Sequence, residues 1–117
     1  MTEFLLALRD DPSEFTSLSP EEIQSVISEY VAWATSIQER GHLRDGKKLR
    51  DEGGKILRKS GEDMSVVDGP FSESKEVLGG FYVIEAPSYE AAAELCSDHP
   101  QLKYGGSIEL RAIEDVG

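Results

Sequence analysis

The chain has 117 residues, with 12 Lys+Arg against 23 Asp+Glu and a formal net charge of −11 at pH 7. With 38% hydrophobic residues it can bury one core and form a single domain over residues 1–117, while so acidic a balance repels phosphate backbones and excludes general nucleic-acid binding. No window approaches the roughly 20 apolar residues of a membrane span, Met1 to Leu8 carries Glu3 and runs into Arg9-Asp10-Asp11 where a signal peptide needs a longer apolar stretch, and the single cysteine, Cys96, cannot close an intrachain disulfide. A cytoplasmic protein with neither a membrane nor a nucleic-acid partner is expected.

Glu3 to Leu8 reads as a strand whose apolar residues fall on both faces, which predicts a place in the middle of a sheet. A polar loop then leads to Ser19, Pro20 and Glu22, the N-cap, first helical position and capping-box partner of a helix, with Leu18 and Ile23 as a hydrophobic staple. Ile23, Val26, Ile27, Tyr30, Val31, Ala34 and Ile37 follow helical spacing, and Gly41 supplies the stop. Two strands follow, His42 to Leu49 and Lys55 to Lys59, joined through Asp51-Glu52-Gly53-Gly54, and a third spans Met64 to Val67. Gly79-Gly80 introduces a strand over Phe81 to Ala86, again apolar on both faces, and Ser88 caps a shorter helix reaching about Asp98. Ser107 to Ile113 alternates Ile108, Leu110 and Ala112 against Glu109 and Arg111, a strand with one wet face.

Strand, helix, strand, hairpin insertion, strand, helix, strand is the α+β order of a ferredoxin-like split βαβ sandwich. Two helices cover one face of such a sheet, so the apolar residues on the other are expected to meet the same face of an identical chain in a two-fold homodimer. Charge is uneven as well. Residues 40 to 59 hold eight basic and three acidic side chains, a local balance of +5 that leaves −16 for the rest. A solvated hairpin with lysines guarding its edge and a strip docking an acidic partner both fit this run.

The run from Val67 to Ile84, with Asp68-Gly69-Pro70-Phe71, Lys75-Glu76 and Gly79-Gly80-Phe81-Tyr82, resembles the signature of the DGPF-type proteins of the YCII-related family. Trp33 on the first helix, His99-Pro100, Gly106 and Glu109-Leu110-Arg111 extend the resemblance over nearly the whole chain. It implies a dimeric ferredoxin-like α+β barrel with a small-molecule cavity between sheet and loops. It also allows a non-enzymatic binding or regulatory role linked to sigma-factor-dependent transcription. Simpler members of the family pair a histidine on the first helix with an aspartate of an Asp-Pro step after the second. Here Tyr30 and His99 stand at those two places.

The candidate catalytic set is therefore His99 as base, Asp68 orienting it, and Tyr30, acting by proton transfer or elimination on an unknown small molecule. Lys75, Trp33 and Phe71 are the candidate substrate-binding residues. Each has a structural alternative: Asp68-Gly69-Pro70 as a turn, His99 as a helix-terminal histidine beside the dipole, and Tyr30 as a core residue with a satisfied hydroxyl. Trp33 also fits as a cover for the core, and Lys75 as a loop charge. His42 reads as an edge residue and Cys96 as a buried one. Two histidines and one cysteine match no zinc or haem spacing, and Gly79-Gly80 enters a strand rather than a phosphate-cradling helix, so no metal or cofactor is expected.

Overall fold

The computed structural model describes residues 1–11, 17–70 and 76–116. In chain order the elements are β1 (Thr2–Asp10), α1 (Pro20–Glu39), β2 (Leu43–Lys48), β3 (Lys55–Ser60), β4 (Asp63–Asp68), β5 (Val77–Ala86), α2 (Tyr89–Cys96), α3 (Pro100–Lys103) and β6 (Ser107–Ala112). Four strands form an antiparallel sheet in the order β2-β5-β1-β6, and β3 with β4 forms a separate two-stranded sheet. With the β3–β4 insertion set aside, this strand order is that of the ferredoxin-like fold. β1 does lie mid-sheet, paired to β5 on one side and β6 on the other.

Alternation along the central strands sorts the side chains. Phe4, Leu6 and Leu8 of β1 and Ile84 and Ala86 of β5 point to the helices, where they pack with Trp33 and Ile37 of α1 and with Ala92, Leu95 and Cys96 of α2. Leu5, Ala7, Phe81 and Val83 take the other face, where register sets Leu5 opposite Val83 and Ala7 opposite Phe81. Ion pairs from Arg9 and Arg111 to Glu109, at 3.3 and 3.4 Å, edge this face on the β6 side.

α1 begins as its sequence dictates. Ser19 Oγ accepts from the Glu22 N–H and the Glu22 carboxylate accepts from the Ser19 N–H, both at 3.1 Å, and Pro20 fills the first turn. Gly41, at φ +82°, follows the last turn. The buried side differs from the expected stripe: Val26, Trp33 and Ile37 face the sheet, whereas Ile23, Ile27 and Val31 are 40–60% exposed along a flank. The Trp33 ring, the largest apolar group on the helix, takes the sheet-facing direction and fixes the helix rotation.

The basic segment divides between two sheets. β2 is an edge of the main sheet, and β3 turns away to pair with β4. Arg44, Lys48 and Lys55 each hold a carboxylate, those of Glu85, Asp51 and Asp68. The Asp68-Gly69-Pro70 turn is built into the hairpin's base: the Gly69 N–H donates to the Gly54 carbonyl at 2.9 Å, and a Cβ on Gly53 would overlap the Gly69 carbonyl. Close backbone approach therefore accounts for both glycines.

α3 was not anticipated, and α2 ends at Cys96 rather than near Asp98. His99 is the N-cap of α3, its Nδ1 accepting from the Gln101 N–H at 2.9 Å, with Pro100 at the first helical position.

Candidate functional site

A cavity of about 240 Å³ opens between the end of β1, α1, α3 and the β2–β5 edge of the sheet. Its floor follows from sequence. Gly46 of β2 stands opposite Tyr82 of β5, and Gly80 of β5 opposite Leu8 of β1, so two positions on the helix-facing side of the sheet carry no side chain. Leu8 and Tyr82 supply apolar walls, and Asp10, Tyr30, Gln101, Lys48 and Asp51 supply the polar groups.

Gln101, 3% exposed, organises that polar edge. Its Nε2 donates to the Arg9 carbonyl at 2.7 Å, and its Oε1 accepts from the Tyr30 hydroxyl at 2.6 Å. The Asp10 carboxyl lies beside the same side chain. Burial raises the Asp10 pKa from its ordinary value, opposed by the neighbouring Gln101 amide and the Lys48 charge. Burial also pushes Tyr30 up to about 12, so it remains a neutral phenol. Tyr82 moves in the same direction for the same reason. Lys48 Nζ is held by the Asp51 carboxylate at 2.8 Å and by the Leu49 carbonyl.

The residues proposed from sequence are not gathered at one place. Tyr30 lines the cavity. His99 does not: it is 1% exposed and lies behind the aromatic wall, with ring centroids 4.5 Å from Trp33, 5.3 Å from Tyr30 and 5.7 Å from Tyr82. Because Nδ1 accepts a backbone N–H, the ring proton sits on Nε2, which has no hydrogen-bond partner among the described residues. Burial lowers the His99 pKa to about 4, so the ring is neutral at pH 7 with its basic nitrogen occupied. Its nitrogen that could accept a proton is turned to the α3 backbone and away from the cavity.

Asp68 is likewise not brought to His99. Its carboxylate is 86% exposed on the hairpin and is held by Lys55. Trp33 is a core residue, 5% exposed, its Nε1–H donating to the Leu95 carbonyl at 3.1 Å, and it does not line the cavity. Phe71 and Lys75 lie outside the described residues. His42 sits at the sheet edge with Nδ1 bonded to the Glu85 carbonyl at 2.8 Å, and the buried Cys96 thiol is pushed up to about 11 by burial.

Asp10 and Gln101 went unread in the sequence. Pro100 after a capping residue is a first-turn signal that could have located α3 and with it Gln101. Asp10 carries no local mark beyond its place at the end of a central strand. Among the described residues no group of three or more His, Cys, Asp and Glu side chains is placed to hold a metal ion, and no helix is long and apolar enough to cross a membrane.

An antiparallel sheet in ferredoxin-like order, three helices and a small cavity at its edge define an α+β domain with a hairpin insertion. The model of the YCII-related domain matches residues 2–116, and the chain belongs to that family. The uncharacterized protein R00369 of Rhizobium meliloti (strain 1021) is 32% identical over 106 residues, covering 89% of this chain and 86% of that protein. Among solved structures, 5-chloro-2-hydroxyhydroquinone dehydrochlorinase (TftG) from Burkholderia phenoliruptrix AC1100, in complex with 2,5-dihydroxybenzoquinone, is 18% identical, with a TM-score of 0.49 over 96% of this chain and 93% of that one. A likeness at that level bears on neither substrate nor reaction.

Proposed function

We propose that the protein binds a small organic molecule in the cavity beside Asp10, Tyr30 and Gln101 and acts on it by acid–base chemistry, as a cytoplasmic homodimer. The observation that carries the reading is the buried Gln101 bridge from the Tyr30 hydroxyl to the Arg9 carbonyl, which sets a neutral phenol and the neighbouring Asp10 carboxyl, of raised pKa, along one cavity. Asp10 is the proton acceptor in this scheme, because raising a carboxyl toward neutrality improves it as a base and lets it return the proton as an acid. Tyr30 orients the molecule. The dimer rests on the half-buried Leu5, Phe81 and Val83 with Ala7 on the helix-free face, which a second copy would cover.

The test uses Gly79, whose backbone lines the cavity and where a Cβ would meet nothing nearer than Asp10 Oδ1 at 3.7 Å. Gly79→Leu fills the cavity with little strain elsewhere. Ligand-observed NMR with a panel of monocyclic compounds is expected to find binders to the wild type that G79L loses while keeping its circular dichroism. Binders indifferent to G79L, or none at all, would remove the proposal.

A further inference from the structure

The cavity's polar groups are not a balanced set. The Tyr30 hydroxyl proton is committed to Gln101 Oε1, so the phenol oxygen offers lone pairs. The Gln101 amide nitrogen is engaged by the Arg9 carbonyl, with the Asp10 carboxyl beside it. Asp10 and Asp51 are carboxylates, and the Lys48 ammonium is already tied to Asp51 and to the Leu49 carbonyl. Lys47 pairs with Phe81 in register, so alternation sends its side chain to the opposite face of β2. The Tyr82 hydroxyl can donate as well as accept, and the Lys48 ammonium keeps one N–H beyond its two bonds. With Leu8, the Tyr82 ring and the glycine floor supplying apolar contact, the volume of about 240 Å³ suits one substituted ring.

We infer that the cavity selects ligands that donate hydrogen bonds, a neutral hydroxyl or an ammonium on a single-ring apolar body, and rejects carboxylates and phosphates. The inference rests on the cavity being the binding site and adds the chemical class of what binds there. An anionic head group placed against Asp10 would meet two carboxylates, Asp10 and Asp51, with the Lys48 ammonium as the one counter-charge on this side of β2, already bonded to Asp51. An ammonium could donate to both the Asp10 carboxylate and the Tyr30 oxygen, which Gln101 holds in place, and a hydroxyl to either one.

Three probes share one body and differ only at the head: benzyl alcohol, benzylammonium and benzoate. Dissociation constants from ligand-observed NMR titrations of the full-length protein at pH 7 are expected to place the alcohol and the ammonium at least tenfold below benzoate. Asp10→Asn, which keeps the shape and removes the charge, is expected to erase at least tenfold of the ammonium's advantage over benzoate. Benzoate binding as well as or better than the other two to the wild type would overturn the inference while leaving the cavity as the site. Binding by none of the three would count against the cavity itself, and the inference would fall with it.

Discussion

His99 is the residue on which sequence and structure diverge most, and its surroundings make a prediction that solution measurements can check. A neutral, N-capping histidine stacked among Trp33, Tyr30 and Tyr82 titrates in the unfolded chain near 6.5 but at about 4 when folded. The unfolded state therefore binds the extra proton first. The contribution of the neutral ring to stability is full above pH 6.5 and is lost as pH falls from there through 4. Asn at this position keeps an acceptor for the Gln101 N–H but has nothing to titrate. Urea unfolding of wild type and His99→Asn should show a stability gap that narrows by about 3 kcal/mol between pH 7 and pH 4. A gap constant with pH would mean that the ring reaches solvent or finds a partner for its charged form.

At the scale of elements, the β3–β4 hairpin stands apart from the four-stranded sheet. Leu57, Met64, Val66 and Val67 are all more than half exposed, and a two-stranded sheet is marginal in water without a packed face. β1 and β5 by contrast carry the core. Hydrogen exchange should find the amides of β3 and β4 at least tenfold less protected than those of β1 and β5. Equal protection would show that the hairpin is covered in solution. These elements were legible for a physical reason: Ser19, Pro20 and Glu22 mark α1 by local chemistry, and apolar residues on both faces mark β1 and β5. α3 escaped because four residues leave no periodicity to read. The rotation of α1 escaped because Ile23, Ile27 and Val31 satisfy helical spacing as well as Val26, Trp33 and Ile37 do. The site was only partly legible. Tyr30 stood out by type and position, whereas Gln101 joins the end of β1 through its bond to the Arg9 carbonyl, a contact spanning 92 residues of chain that no local pattern records.

For the whole molecule, the radius of gyration of 16.3 Å exceeds the roughly 13 Å of a compact chain this long, which fits a core domain with an extended insertion. The open face carries Leu5, Ala7, Phe81 and Val83 between charged borders, an arrangement suited to burial against its own two-fold copy. Light scattering after gel filtration should give about twice 12.9 kDa for the wild type, and Val83→Lys should return the chain to 12.9 kDa by setting two ammonium groups against each other. A wild type already at 12.9 kDa would exclude the homodimer and leave the open face to another partner.

The central claim is that the cavity beside Asp10, Tyr30 and Gln101, rather than the Asp68 turn, is where a ligand sits. Amide chemical-shift mapping of the ¹⁵N-labelled protein during titration with benzyl alcohol tests it most directly. Perturbations gathered at Gly46, Gly79, Gly80 and Gln101, with Lys55, Asp68 and Gly69 unmoved, are the predicted result. Shifts centred on Asp68 and Gly69 with the cavity amides silent would contradict it.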